Sequence, residues 1–473
     1  MKRPLLRCVL LAITAASSGC RGATESAGAA RGAKTTPAAP VATVESQDVP
    51  TRARRSSDRG RSVIWIGLDG LDLEIVDRLA AAGGMPQWKR LAEQGYVTRL
   101  ESELPLLSPI LWTTQATGVP PEVHRVLDFQ EVDPASGRKV PISGNSRAVP
   151  AVWNLASAAG RRVGVVGWWA THPAEEVNGF FVSDHASPIL FDGLPLDGAT
   201  YPTALAAGVA QVAARDGRVA AEDLAPYLGM PVVEIRQALE KGGGMENPVV
   251  ALARILGATR VTQRIARDLY DRNLPDLTAA YFEGTDEVGH VFAPFTPPRA
   301  ACPNLRDEEV ARYGHAAEAY YAEVVDRILG QWMRRAEQDG AVLLVTSDHG
   351  FKWGEDRPCG LAAGHWSTAA FWHRRLGVFA AWGSGVAAVP AATTAPASLM
   401  DVAPTVLALL GLPADVRLKG IPVRAAFGDL ATPLPSAAPA TMTVRRVAAA
   451  APSAEESSEY AKKLFALGYL TPA

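Results

Sequence analysis

The sequence predicts an α/β fold in which a central, mostly parallel sheet carries helices on both faces, with a helical cap insertion beside it. Short apolar runs suited to buried strands recur along the chain, and the clearest are Val63–Leu68, Leu277–Phe282 and Ala341–Thr346. Stretches with helical periodicity separate these runs. Strands that alternate with helices are typical of a parallel sheet covered on both sides.

The first strand ends at Asp69, and a helical pattern over Leu73–Ala80 follows and stops at Gly83 and Gly84. The same alternation predicts the later elements. They are a helix over Trp153–Ala159, a strand over Arg162–Gly167, a long helix over Glu308–Gln338, a strand over Val378–Trp382 and a short helix over Ala403–Leu410.

The domain organisation follows from shifts in composition. Residues 61–430 carry the alternation and form the predicted catalytic domain. Within them, residues 186 to about 270 are Ala-rich with helical patterns and no strong strand, so we interpret them as the cap. Residues 431–473 form a tail with a terminal helix over Ser453–Leu467.

The amino terminus is typical of an export signal. A basic start precedes a short apolar run over Leu5–Ala16, and Ser18-Gly19-Cys20 resembles a bacterial lipobox. We therefore expect residues 1–20 to be a signal peptide with lipidation at Cys20, and residues 21–60 to be a flexible tether. The protein would then be an exported bacterial protein, periplasmic or on the cell surface, anchored to a membrane by its lipid. An ordinary cleaved signal with an incidental Cys20 is the alternative.

Net charge and the remaining cysteines limit the function. A formal charge of −2 over 473 residues provides no basic field for nucleic acid, and 48 % apolar residues allow a sizeable core.

Cys302 and Cys359 are the two cysteines left in the folded body. Both follow candidate metal motifs, and an oxidising compartment permits a disulfide, so we expect them to be bonded, with two separate thiols as the alternative.

Six residues of metal-ligand type lie close to predicted strand ends. They are Asp69, Asp286, His290, Asp348, His349 and His373. Asp286 and His290 are four residues apart and therefore share one face of a helical turn. Each of these short motifs alone is common in turns and surfaces, but together they supply three ligands for each of two zinc-like ions. We expect His373 rather than His365 to be the last ligand because of its distance from Gly383.

The segment from Leu107 to His124 resembles the nucleophile segment of the type I phosphodiesterase/nucleotide pyrophosphatase family, which belongs to the alkaline phosphatase superfamily. Ser108 falls on the family's nucleophile, and Thr113 and Thr114 are the competing hydroxyls. Further motifs extend the resemblance from about Val63 to Val423. They are Gly67–Gly70, Gly84–Leu91, Thr285-Asp286 with His290, Ser347–Gly350, His373–Phe379 with Gly383, and Asp401–Thr405 with Gly411–Pro413.

The resemblance implies an alkaline-phosphatase-like fold and a site with two divalent ions, zinc or manganese. By resemblance, one ion is held by Asp69, Asp348 and His349 and also binds Ser108. The other is held by a second set, Asp286, His290 and His373. The implied reaction cleaves phosphodiester or pyrophosphate bonds of a small phosphorylated substrate through a phosphoseryl intermediate on Ser108.

Two departures from the family pattern widen the choice of function. Nucleotide pyrophosphatases place an Asn that contacts the phosphate shortly after the motif His, and Phe129 stands at that position here. Arg125 stands where the family often has Gly. The alternatives are therefore a phosphomonoesterase, a phosphonate hydrolase or a phosphoryl-group transferase on the same metals. A non-catalytic lipoprotein that binds a phosphorylated ligand is a third class.

Overall fold

The structure is a computed structural model that describes residues 60–134, 136–186, 196–359, 368–389, 394–432, 434–437, 442–449, 458, 461–464, 467 and 469. The expected signal peptide, Cys20 and the tether up to residue 59 lie outside the described residues, as does His365. Within the described part of the chain, no helix is long and apolar enough to span a membrane.

A nine-stranded mixed sheet forms the centre of the fold. From edge to edge its strands are β13 (Ala397–Ser398), β2 (Tyr96–Glu101), β12 (Leu376–Trp382), β9 (Val342–Thr346), β1 (Val63–Leu68), β8 (Leu277–Phe282), β5 (Val163–Val166), β6 (Gly179–Val182) and β7 (Thr200–Tyr201). The five strands from β9 to β6 are parallel, whereas β12 and β7 run antiparallel to their neighbours. The predicted mostly parallel sheet is confirmed.

Three small two-stranded sheets accompany the central one. They pair β3 (Gln130–Val132) with β4 (Lys139–Pro141), β10 (Gly350–Phe351) with β11 (His373–Arg374), and β14 (Pro413–Asp415) with β15 (Leu434–Ala437).

Helices surround the sheet. In chain order the described α-helices are α1 (Leu73–Ala81), α2 (Pro86–Gln94), α3 (Ser108–Thr117), α4 (Pro121–His124), α5 (Val152–Ala158), α6 (Leu205–Asp216), α7 (Ala221–Leu224), α8 (Val232–Lys241), α9 (Pro248–Asn273), α10 (Gly284–Phe292), α11 (Asp307–Tyr313), α12 (Ala316–Tyr320), α13 (Asp326–Asp339), α14 (Val402–Leu409) and α15 (Arg424–Phe427).

The core lies between the sheet and these helices. All residues of β1, β8 and β9 are buried, which is why their sequences are continuous apolar runs rather than alternating ones. The amphipathic helices α1 and α13 bury their apolar faces, and α13 packs on β9. The central strands are therefore held rigidly, and residues at their carboxyl ends have fixed positions.

Two predicted segments differ in detail. The expected cap contains an edge strand, β7, and its last helix, α9, packs directly on β5 and β8. Residues 248–273 thus belong to the helical layer over the sheet, because the apolar face of α9 has the sheet as its partner. The predicted long helix is divided between α11, α12 and α13, with a π-helical turn over Tyr321–Val325.

Candidate metal centre

Two aspartates lie at the carboxyl ends of adjacent central strands. Asp69 follows β1 directly, and Asp348 lies two residues beyond β9. Gly67 and Thr346 are paired in the register of these strands, so both aspartates leave the same edge of the sheet. The backbone N–H of Gly70 donates to Asp348 Oδ1 at 3.2 Å. Ligands at the carboxyl ends of parallel strands are typical of α/β sites.

Helix α10 adds a second pair of ligand-type side chains. It begins just after β8, so its first turn lies at the same sheet edge. Asp286 and His290 share one face, and His290 Nε2 lies 3.1 Å from Asp286 Oδ2. Gly70 has a φ of +62°, which favours glycine, and a Cβ there would make a tight contact of 3.2 Å with Asp286.

Two further histidines complete the cluster. His349 Nε2 lies 3.4 Å from Asp69 Oδ1 and 3.4 Å from Asp348 Oδ2. The imidazole of His373 stacks on that of His349 with ring centroids 3.6 Å apart. The pairing of β10 with β11 brings His373 back to the site, where its Nε2 lies 3.2 Å from His290 Nε2.

All six predicted ligands, His373 included, thus lie in one cluster. Asp69, Asp348 and His349 offer three ligand atoms within 4.8 Å of one another. Asp286 and His373 also form such a group with His349, which lies between the two halves. The six residues are Asp69, Asp286, His290, Asp348, His349 and His373, and none is more than 7 % exposed.

Several buried polar atoms of this cluster lack a hydrogen-bond partner, and their chemistry fits the binding of divalent cations. Asp286 Oδ1, Asp348 Oδ2 and His349 Nε2 are buried and have no hydrogen-bond partner. A buried polar atom without a partner costs about 1–3 kcal/mol, more when it is charged. Carboxylate oxygens and imidazole nitrogens are the ligands that zinc prefers outside thiolate sites. Bound cations would remove the penalty at each of these atoms.

The pKa shifts of the cluster residues also indicate that positive charge would be favourable at this site. Burial, followed by the nearby carboxylates of Asp348 and Asp286, raises the pKa of Asp69 well above its usual value. Burial likewise raises the pKa of Asp348 to about 7. Burial alone would raise the pKa of Asp286, but His290 and His373 hold it well below its usual value. Burial lowers the pKa of His373 to about 3, so this imidazole is neutral, as a metal ligand must be.

Of the candidate nucleophiles, Ser108 is the one whose hydroxyl faces the cluster. It is the first residue of α3, and its Oγ lies 3.4 Å from Asp69 Oδ1. The competing hydroxyls of Thr113 and Thr114 donate to backbone oxygens one helical turn back, at 2.7 and 3.0 Å. Of these three side chains, Ser108 alone contacts a candidate ligand in the described hydrogen bonds.

Two aromatic residues that the sequence did not single out hold Asp69 in place. Asp69 Oδ2 accepts hydrogen bonds from Trp112 Nε1 at 3.0 Å and from the hydroxyl of Tyr281 at 2.5 Å. Trp112 is on α3, all of whose residues are buried, and Tyr281 is on β8. Polar partners behind a ligand fix its orientation toward a metal. No sequence signal separates these aromatics from ordinary core residues.

The histidine of the nucleophile segment has a different position. His124 is fully buried, its Nε2 lies 3.0 Å from Thr114 Oγ1, and its Nδ1 accepts from the Val126 N–H at 3.2 Å. Burial lowers its pKa to about 3, so it is neutral. These contacts tie the end of α4 to α3. Phe129, at the family's Asn position, is 2 % exposed and packs its ring against Trp169.

The cysteine pair lies beside the cluster. Cys302 and Cys359 are joined by a disulfide, with their Cα atoms 5.3 Å apart. Near Cys359, the guanidinium of Arg357 donates to the carbonyl oxygens of Gly289 and His290 at 2.9 and 3.1 Å. The bridge therefore joins cysteines 57 residues apart. Close to Cys359, the hydrogen bonds of Arg357 connect this part of the chain to α10, the helix that carries two candidate ligands.

Comparison with solved structures shows which known folds this one resembles. A variant of the alkaline phosphatase PafA matches with a TM-score of 0.52 and 14 % identity, and it covers 79 % of this chain and 100 % of its own. Murine ectonucleotide pyrophosphatase/phosphodiesterase 5 matches with a TM-score of 0.41 and 12 % identity, over 74 % and 95 %. Phosphonoacetate hydrolase from Sinorhizobium meliloti matches with a TM-score of 0.35 and 21 % identity, over 64 % of this chain. The fold is therefore similar to that of the alkaline phosphatase PafA.

The particular family follows from the sequence match. The family model described as type I phosphodiesterase / nucleotide pyrophosphatase matches residues 63–366. The protein belongs to this family. The chain spans 60 % of the length of the phosphonoacetate hydrolase that it resembles. The search of curated proteins gave no match.

Proposed function

We propose that the protein hydrolyses phosphodiester or pyrophosphate bonds of a small substrate, with Ser108 as nucleophile and two divalent ions, zinc or manganese. The observation that carries the proposal is the position of Ser108 Oγ, 3.4 Å from Asp69, at the edge of a buried cluster of six metal-type ligands. Asp69, Asp348 and His349 would hold one ion together with Ser108. The other would be held by Asp286, His290 and His373.

Bound divalent ions supply charge neutralisation for both the attacking and the leaving oxygen and lower the pKa of a hydroxyl. The chain contributes the rest. Helix α3 fixes Ser108 in line with the cluster, and Trp112 and Tyr281 orient Asp69. Ser108 Oγ forms a bond to phosphorus as the bond to the leaving oxygen breaks, and that oxygen leaves with a proton. Water then cleaves the phosphoserine and restores the hydroxyl of Ser108.

Phe129 favours a second candidate reaction on the same site. A buried phenylalanine cannot supply the amide contact to phosphate that the nucleotide pyrophosphatase pattern contains. Hydrolysis of monoesters or phosphonates, or transfer of the phosphoryl group to an alcohol, then competes with diester cleavage. A site that binds phosphate without turnover is the remaining outcome.

A substrate screen tests the proposal. The purified chain would be assayed with model diesters, pyrophosphates, monoesters and phosphonates, with zinc or manganese, before and after chelation. We expect metal-dependent turnover, fastest on diesters or pyrophosphates, and none in Ser108→Ala. Faster monoester or phosphonate cleavage selects the second candidate, and phosphate binding without turnover of any class contradicts an enzymatic role.

We also propose that the protein is exported and anchored through a lipid on Cys20. The lipobox-like Ser18-Gly19-Cys20 supports this, and the Cys302–Cys359 disulfide agrees with an oxidising compartment. Expression in a bacterial host with and without Cys20→Ser provides the test. The wild-type chain should fractionate with membranes and the variant with the periplasm, whereas equal fractionation contradicts the anchor.

A further inference from the structure

The carboxyl-terminal segment reaches into the candidate metal centre. Leu464 and Leu467 are each 2 % exposed and Tyr469 is 6 % exposed, so these described residues are packed into the fold. Lys463 forms ion pairs with Glu283 at 2.7 Å and Glu287 at 3.0 Å. These two glutamates flank Asp286 in sequence. The segment is thus attached to the helix that presents two of the candidate ligands.

The hydroxyl of Tyr469 lies among the ligands assigned to the second ion. It is 2.9 Å from His290 Nε2, 3.0 Å from Asp286 Oδ2 and 3.5 Å from His373 Nε2. The ring is held from behind by Phe129, with ring centroids 4.4 Å apart. Phe129, which stands where the family has an Asn, thus supports the ring of Tyr469 beside the candidate metal ligands.

The spacing of these four groups matches a tetrahedral metal shell. Among the three protein ligands, His290 lies 3.1 Å from Asp286 and 3.2 Å from His373, and His373 lies 3.4 Å from Asp286 Oδ1. With the distances from the hydroxyl, the six separations fall between 2.9 and 3.5 Å, and Asp286 contributes Oδ2 toward Tyr469 and His290 and Oδ1 toward His373. Bonds of about 2.0–2.1 Å in a tetrahedral zinc site place ligand atoms about 3.3–3.4 Å apart.

We propose that Tyr469 is the fourth ligand of the second ion, supplied by the carboxyl-terminal segment; this inference rests on the two-ion site proposed above. The phenolic oxygen fills the vertex that Asp286, His290 and His373 leave open. The second ion would then have four protein ligands and would meet the leaving oxygen by becoming five-coordinate, while the first keeps open positions for substrate beside Ser108. Tyr469 is accordingly part of the proposed active site.

Metal binding to the full-length apoprotein tests this proposal without an activity assay. The probe is Co²⁺, whose visible absorption depends on its coordination, together with Zn²⁺ affinity measured by chelator competition. Tyr469→Phe removes the hydroxyl and keeps the ring on Phe129. Tyr270→Phe is the matched control, because it removes a hydroxyl that donates to Asp339 at 2.8 Å.

The wild-type chain and Tyr270→Phe should bind two ions with the same affinities. Tyr469→Phe should bind one of the two ions about 10- to 100-fold more weakly, with a changed Co²⁺ spectrum. Unchanged affinities and spectrum in Tyr469→Phe overturn the proposal. Unchanged metal binding with weaker binding of inorganic phosphate also overturns it and assigns the hydroxyl to the substrate. A wild-type chain that binds no metal contradicts the proposed function instead.

Discussion

At the scale of single residues, the proposed chemistry depends on which hydroxyl faces the candidate metal ligands. Ser108 lies 3.4 Å from Asp69, whereas Thr113 Oγ1 is bonded to a helix carbonyl. Ser108→Ala should lower turnover by at least about a thousandfold, because it removes the nucleophile and little volume. Thr113→Ala is the control and should keep most activity. An active Ser108→Ala variant together with an inactive Thr113→Ala variant would show that the nucleophile is Thr113 and not Ser108.

His373 gives the second residue-scale prediction. Its imidazole is 2 % exposed and lies 3.2 Å from His290 Nε2, so its removal should take away a ligand. His373→Ala should bind one ion fewer, or bind it more than about tenfold more weakly, by metal analysis of the dialysed protein. His365→Ala should retain both ions. The reverse pattern would show that His365 is the ligand.

At the scale of secondary-structure elements, the position of α10 depends on a glycine at its start. A Cβ at Gly284 would lie 2.1 Å from the hydroxyl of Tyr320 and 2.8 Å from Thr259 Oγ1. Helix propensity favours alanine by up to about 1 kcal/mol, but the overlap is with a buried hydrogen-bonded pair. Gly284→Ala should therefore destabilise the protein by about 1–3 kcal/mol in urea unfolding.

A double-variant cycle isolates that contact. Tyr320→Phe removes the hydroxyl that the added methyl group would meet. The cost of Gly284→Ala should thus be lower by about 0.5–3 kcal/mol in the Tyr320→Phe background than in the wild type. An equal cost in both backgrounds would show that the overlap with Tyr320 does not position α10.

The central strands were predictable from the sequence because they are buried on both faces and are continuous apolar runs. Their ends therefore gave the positions of Asp69 and Asp348. Strand β2 was not predicted, since its Tyr96–Glu101 segment mixes buried and exposed residues. The antiparallel direction of β12 depends on tertiary pairing with β2 and β9, which no local pattern encodes.

At the scale of the whole molecule, the Cys302–Cys359 bridge connects two distant loops around the site. The chain-entropy model gives about 4 kcal/mol for a closed loop of this length. The Cys302→Ser/Cys359→Ser variant should lose up to that amount in urea unfolding, and it should bind metal more weakly because Arg357 is bonded to the carbonyl of His290. Because the unprocessed chain also contains Cys8 and Cys20, four free thiols rather than two after unfolding without reductant would contradict the bridge.

The complete site could not be predicted from the sequence. The residues that were not predicted are aromatic, and one physical reason explains why the sequence did not reveal them. The six ligands were visible because Asp and His recur near strand ends in motifs. Trp112, Tyr281 and Tyr469 are aromatic residues whose roles depend on which polar atom lies nearby in space. Tyr469 is separated from Asp286 by 183 residues, so only the folded chain brings them together.

The most direct test of a two-ion phosphoric ester hydrolase is the rate of phosphodiester cleavage by the chelated full-length chain as Zn²⁺ is returned in steps. The cluster of six ligands around Ser108 predicts no turnover without metal and a rate that reaches its plateau at two ions for each chain. Full turnover by the metal-free chain, or no cleavage of any phosphate ester at any metal loading, would contradict the account.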